Sequence, residues 1–204
     1  MNKTVNKMMA IGVVVTMLLA TGVSTTFAVS TDTAAHNVVI TVNEKAMLDL
    51  NSIQDTTFTI DIVDAGVAGD PIAVIAKAHE ADNYLHYTSI VNAKNKTRTI
   101  TVYIDALANI PAGTKLTVLP GAPTDAGQGT KGTAADAAID LSTAATSANA
   151  KDLVTGIKTC STGKAATDGV QLTYDLTLVG ASIADLVSGT YTTVVTYTLT
   201  DSTF

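Results

Sequence analysis

The sequence predicts an all-β protein, an antiparallel β-sandwich of Ig-like or Greek-key type with about eight strands. Three observations predict it. Apolar residues recur at every second position through most segments after residue 28, the spacing that gathers them on one face of a strand. Clusters of Gly, Pro, Asn and Asp interrupt those segments where turns are needed. No segment between them carries the 3.6-residue period of an amphipathic helix, which a βαβ architecture would require.

The chain begins with a different pattern. Lys3 and Lys7 precede an apolar stretch of 13 residues, Met8 to Ala20, and a polar segment closes on Thr26, Phe27 and Ala28. That order is the tripartite arrangement of a secretory signal peptide, with cleavage before Val29 and an earlier alternative at Ala20 and Gly22. Thirteen residues fall short of the roughly 20 needed to span a hydrocarbon core as a helix. Residues 1–28 are therefore expected to be removed, leaving residues 29–204 as a single domain with no membrane span. Such a chain is long enough to bury one sizeable core.

In the mature part, the even positions Val38, Ile40, Val42, Ala46, Leu48 and Leu50 form one apolar face that only Glu44 interrupts. Phe58, Ile60 and Ile62 repeat the pattern before the turn residues Gly66, Gly69, Asp70 and Pro71. Tyr84 to Val91 mixes apolar and polar residues on both faces, as a central strand does, and Asn92 to Lys96 reads as a hairpin loop. Ile100, Val102 and Ile104 alternate with Thr99, Thr101 and Tyr103, and a further strand spans Lys115 to Leu119. Between Pro120 and Ala150 the only large apolar residues are Ile139 and Leu141, which predict a short strand around Ala137 to Leu141 flanked by loops, or an Ala-rich helical turn. Leu172, Tyr174, Leu176 and Leu178 share one face of a strand closed by Gly180. Val195, Tyr197 and Leu199 share one face of the last strand, read from Tyr191 to Thr200. An outer-membrane barrel does not fit, because Phe204 is out of phase with the apolar positions and 3 Phe with 6 Tyr build no aromatic girdle.

Charge narrows the partners. The formal net charge of -6 becomes -8 once Lys3 and Lys7 are removed, and an acidic surface is repelled by nucleic-acid phosphates and anionic lipid. The single cysteine, Cys160, has no partner for an internal disulfide, so the fold must hold without one. Its readings are a buried small hydrophobe, an intermolecular bridge or a soft-metal ligand.

Motifs for chemistry are incomplete. Gly180, Ala181, Ser182, Ile183 and Ala184 approach a nucleophile elbow, but His36, His79 and His86 all precede the serine, the reverse of the order that goes with this elbow. Ser161 to Lys164 approach a phosphate loop, yet Ala165 stands where a magnesium-binding hydroxyl belongs. Asp61, Asp64 and Asp70, or His79, Glu80, Asp82 and His86, gather ligand types without a diagnostic metal spacing. Asn95, Lys96 and Thr97 form an N-glycosylation sequon. The expectation is a non-enzymatic chain without a cofactor or metal. Tyr84, Tyr87 and Tyr103 remain as exposed ligand contacts, because Tyr174, Tyr191 and Tyr197 are in phase with the core.

The closing stretch from Gly189 to Leu199 resembles the last strand of secreted pilin-like sandwiches, the spore-coat-protein-U-like subunits and WxL surface domains. The chain has no tryptophan for a WxL motif and lacks the disulfide usual in the pilin group. The resemblance implies self-association or a surface protein partner, with Val29 to Leu50 leaving its own domain to complete a neighbour's sheet. The simpler alternative makes Val38 to Leu50 the first strand of its own sandwich. A second functional class is a surface module binding a glycan or a partner protein through its exposed tyrosines. Either places the protein outside the cytoplasm, secreted or at the cell surface, or in a periplasm if the host has an outer membrane.

Overall fold

Apolar alternation becomes strand wherever a neighbouring strand is present to pair with it. The computed structural model describes residues 39–52, 60–63, 68–77, 81–179 and 184–201. Thr41–Phe204 cluster as one compact unit; of the other unit, Met1–Ile40, only residues 39 and 40 are described. The expected signal peptide, His36, Val38, Phe58, Asp64, Gly66, His79, Glu80, the Gly180 to Ile183 part of the elbow-like sequence and Phe204 lie outside the described residues.

In chain order the strands are β1 (Lys45–Ser52), β2 (Ile60–Val63), β3 (Ala73–Lys77), β4 (Asn83–Ile90), β5 (Arg98–Ile104), β6 (Thr114–Pro120), β7 (Gln128–Gly129), β8 (Thr133–Ala134), β9 (Ile139–Asp140), β10 (Lys151–Ile157), β11 (Cys160–Ser161), β12 (Val170–Leu178) and β13 (Val195–Asp201). Of these 13, nine are four residues or longer and four are two residues long; the strands read from the sequence include the two-residue β9 and omit β3 and β10. Among the described residues there is no α-helix, only short 3-10 turns such as Leu141–Thr143.

The long strands build an all-β sandwich from two antiparallel sheets. One has seven strands, ordered β7-β11-β4-β12-β6-β9 with β1 on the other side of β4; the other has four, ordered β13-β5-β10-β8. A two-stranded ribbon pairs β2 with β3. The two large sheets share one core, in which Leu85, Val118 and Leu172 from the first face Ile100, Val102 and Leu153 from the second, all at most 1% exposed. On β4 the burial alternates strictly, with Asn83, Leu85, Tyr87 and Ser89 buried and Tyr84, His86, Thr88 and Ile90 half-exposed.

Several expectations need correcting. Asn92 to Lys96 is not a hairpin loop, because β4 and β5 lie in different sheets and the segment crosses between them. Strand β1 begins at Lys45, and the described residues 39–44 before it are not strand, since its partner β4 runs out at Ile90, opposite Lys45. Tyr191 precedes β13, is 37% exposed and donates its hydroxyl to the Val187 carbonyl, so it is not a core residue. The short strand expected around Ala137 to Leu141 is there as β9, and the 3-10 turn that follows at Leu141–Thr143 contains no alanine, so it is not the Ala-rich turn of the alternative.

One join depends on a glycine. β12 and β11 share the same edge of β4, and between them Thr162 continues the pairing, its N–H donating to the Tyr87 carbonyl (3.1 Å) and its hydroxyl accepting from the Tyr87 N–H (3.0 Å). The chain then loops out and returns through Gly169 at φ +86°, where a Cβ would sit 2.1 Å from the Leu85 carbonyl oxygen. Only glycine combines that backbone with that approach.

Candidate functional site

The two long strands at one side of the sandwich are each paired on one edge only, among the described residues: β1 with β4, and β13 with β5. Their inward residues leave the core incompletely covered. Leu48 and Leu50 on β1 and Val195, Tyr197 and Leu199 on β13 pack against the buried cluster but are themselves only partly buried. Between the strands runs a groove of about 260 Å³, lined by Leu48, Leu50, Leu85, Val195 and Tyr197, with Asp49 and Thr196 beside them. Ahead of it, Ile40 and Val42 are 82% and 73% exposed.

Polar contacts hold the ends of this seam. At one end the guanidinium of Arg98, with a side chain 6% exposed, donates to Glu44 Oε1 and Asp201 Oδ1, each at 2.6 Å. Glu44, the residue that breaks the apolar face of the first strand, is there to meet this buried cation. At the other end Asp105, just beyond β5, accepts from the Val194 N–H (3.1 Å) and the Thr193 hydroxyl (2.9 Å). It also accepts from the Ala106 N–H and from Asn109 Nδ2. The Val194 N–H and then the Thr193 hydroxyl hold its carboxyl below the usual carboxylate range. In the floor of the seam the hydroxyls of Tyr174 on β12 and Tyr197 on β13 hydrogen-bond across the two sheets. Burial pushes the Tyr174 phenol up to about 12 and that of Tyr197 well above its ordinary value.

Of the assembly residues read from sequence, Leu48 and Leu50 line the groove, Ala46 lies on the same strand face but exposed, Ile40 and Val42 are exposed before the strand, and Val38 is not described. The ligand-contact tyrosines are not brought together. Tyr84 lies half-buried on the outer face of the seven-stranded sheet, and Tyr103 half-buried on the outer face of the four-stranded sheet, opposite Thr196. Tyr87 is corrected to a core residue, 2% exposed, with its hydroxyl donating to the Lys131 carbonyl. The reason is phase: residues three apart on a strand point to opposite faces.

The other candidate groups have local structural roles. Thr162 of the phosphate-loop-like sequence is buried in the β4 edge, and Cys160 is buried with its thiol pushed up by desolvation. Among the described residues no three His, Cys, Asp or Glu side chains converge, and Asn95 of the sequon is exposed in the β4 to β5 connection. A second depression, near Pro120, Pro123, Gln171 and Thr173, carries one ionisable group, Asp136. Arg98, Asp105 and Asp201 were not singled out from sequence, and Tyr197 was read only as a residue in phase with the core. A signal was present for the first: Arg98 is the sole arginine and shares its phase with Ile100, Val102 and Ile104.

No protein-family model, curated protein or solved structure matches the chain.

Proposed function

We propose that this chain is a non-enzymatic, exported structural protein of the cell surface or extracellular matrix, and that it self-associates into fibre or pilus-like assemblies through the side of the sandwich formed by β1 and β13. The observation that carries this reading is the pair of long, one-sided edges over a partly covered apolar seam. An edge strand presents a row of backbone donors and acceptors to any further strand, and chains that stay monomeric ordinarily blunt such edges. Here an apolar groove lies between two of them, and Val42 ahead of β1 adds an exposed apolar side chain. Strand β1 belongs to its own sheet, so the piece offered to a neighbour is the chain before Lys45, with main-chain pairing supplying affinity and alternate side chains supplying register.

The test is assembly itself. The wild-type chain should form concentration-dependent filaments or oligomers, seen by electron microscopy and sedimentation. Leu48→Lys and Val195→Lys place an ammonium at the groove, a change that discourages edge pairing; each should abolish assembly while far-UV circular dichroism still reports sheet. A wild-type chain that stays monomeric at every concentration, or lysine variants that assemble normally, would refute the reading.

A further inference from the structure

The chain has one arginine, and it is buried. Arg98 opens β5 in phase with Ile100, Val102 and Ile104, so its side chain enters the interior instead of solvent. A guanidinium removed from water is tolerated when carboxylates neutralise it. Arg98 has two such partners, one on each terminal amine: Nη2 meets Glu44 and Nη1 meets Asp201. These carboxylates belong to different sheets. Glu44 immediately precedes β1 of the seven-stranded sheet, while Asp201 ends β13 and faces Arg98 across the ladder of the four-stranded sheet. One planar fork therefore ties together, at the same end, the two strands that flank the groove. The fork geometry is what a lysine would lack. Both carboxylates remain within reach of solvent, with side chains 38% and 60% exposed, so the pairing can open locally without unfolding the core.

We infer that Arg98 is a latch that couples the two edge strands of the seam. While both carboxylates are charged and in place, neither β1 nor β13 frays alone, and Glu44 fixes the point at which the preceding chain leaves the sheet. Losing either carboxylate leaves the buried cation half-compensated, and relief comes from letting that end of the seam open. The control this gives over assembly rests on the edge-association reading above; the coupling between the strands does not.

The experiment is amide hydrogen exchange on the whole chain as its host processes it, comparing wild type with the near-isosteric Glu44→Gln and Asp201→Asn. Each single variant should raise exchange in both 45–52 and 195–201, by about tenfold, while β6 and β12 keep their protection and so report an intact fold. Arg98→Met removes the cation together with its burial cost and should loosen the same two strands. Effects that stay local, with Glu44→Gln confined to β1 and Asp201→Asn confined to β13, would overturn the latch, as would unchanged exchange. The same samples followed for assembly separate the two ideas. Faster assembly by a similar factor supports both, whereas coupled loosening with no assembly in any sample upholds the latch and removes the association reading.

Discussion

The two sides of this sandwich are finished in opposite ways. On the far side the seven-stranded sheet ends in the two-residue β9, and the turn at Leu141–Thr143 plugs the core with Leu141, which is fully buried. Asp140 caps that turn by accepting from the Ser142 N–H, and Ala144 accepts from the Ile104 N–H, so the plug is tied to both sheets' neighbourhood by hydrogen bonds. The four-stranded sheet ends there in the equally short β8. On the near side the edges are β1 and β13, eight and seven residues long, and their inward side chains are only partly covered. Short, plugged edges are the usual means of preventing unwanted pairing. A chain that applies them on one side and, among the described residues, leaves long one-sided edges on the other has a polarity, and that second side is the one proposed above to associate.

The largest expected effect sharpens this contrast energetically. Leu172 is fully buried in β12, at the centre of the closed region, whereas Leu48 lines the open groove. Leu172→Ala should cost about 2 to 5 kcal/mol in chemical denaturation, because the lost side chain leaves a cavity that cannot collapse. Leu48→Ala should cost less, about 1 to 2 kcal/mol, since Leu48 is only partly buried and part of its apolar surface is already in water. Equal losses at the two positions would mean that the near side is as tightly closed as the far one.

An intermediate effect probes the floor of the seam through its phenols. Tyr174 and Tyr197 hold their protons above the ordinary range because burial disfavours the phenolate. A group whose folded pKa is raised contributes stability that is fully present below its unfolded pKa and declines as pH rises through the folded one. The window therefore opens near the ordinary tyrosine value of 10.0 and extends to about 12 for Tyr174, over which about 2 to 3 kcal/mol is lost. Alkaline denaturation followed by phenolate absorbance should show these two tyrosines ionising only as the sheets separate, and Tyr174→Phe with Tyr197→Phe should flatten that decline. Free ionisation of both in the folded chain would show the seam to be open to water down to its floor.

The sheets were legible in the sequence where strands alternate without interruption. Strands β5 and β12 keep an inside-outside alternation whose apolar phase places them; β4 alternates as strictly in burial but carries Asn83 and Ser89 on its inner face, so its mixed composition placed it, and β6 buries Leu116, Thr117 and Val118 in succession. Strand β10 was missed because it bulges twice: Leu153 and Val154 are consecutive and both buried, and Gly156 takes φ +72° before Ile157 turns inward again. A period-two search cannot register a strand that changes phase twice within seven residues. The two-residue β7, β8 and β11 carry no period at all. Tyr87 was misplaced by aromatic content where its phase, shared with Leu85, would have put it inside. The latch was half visible. Glu44 and Arg98 each break an otherwise apolar face with opposite charge, and two such breaks in strands that never pair with each other are explained only when the fold brings them to one edge.

The smallest expected effect tests whether β13 is held from both ends. Asp105 stands opposite Arg98 along β5 and receives the Val194 N–H and the Thr193 hydroxyl, so the residues leading into β13 are gathered on one carboxylate. Those donors favour the charged form and lower its pKa. A depressed carboxyl contributes stability that is present above its unfolded pKa, near 3.8, and is lost as pH falls through the folded value below that. Asp105 is solvent-exposed, so screening keeps the effect small. It is best read as a difference: urea denaturation of wild type and Asp105→Asn at neutral pH, at pH 4 and at still lower pH. Wild type should be the more stable at neutral pH, and the gap should narrow once pH falls below about 4, because every other carboxylate is common to both chains. A gap that stays constant with pH would mean that the Asp105 contacts act by geometry alone, leaving Arg98 as the charged fastening of the seam among the described residues.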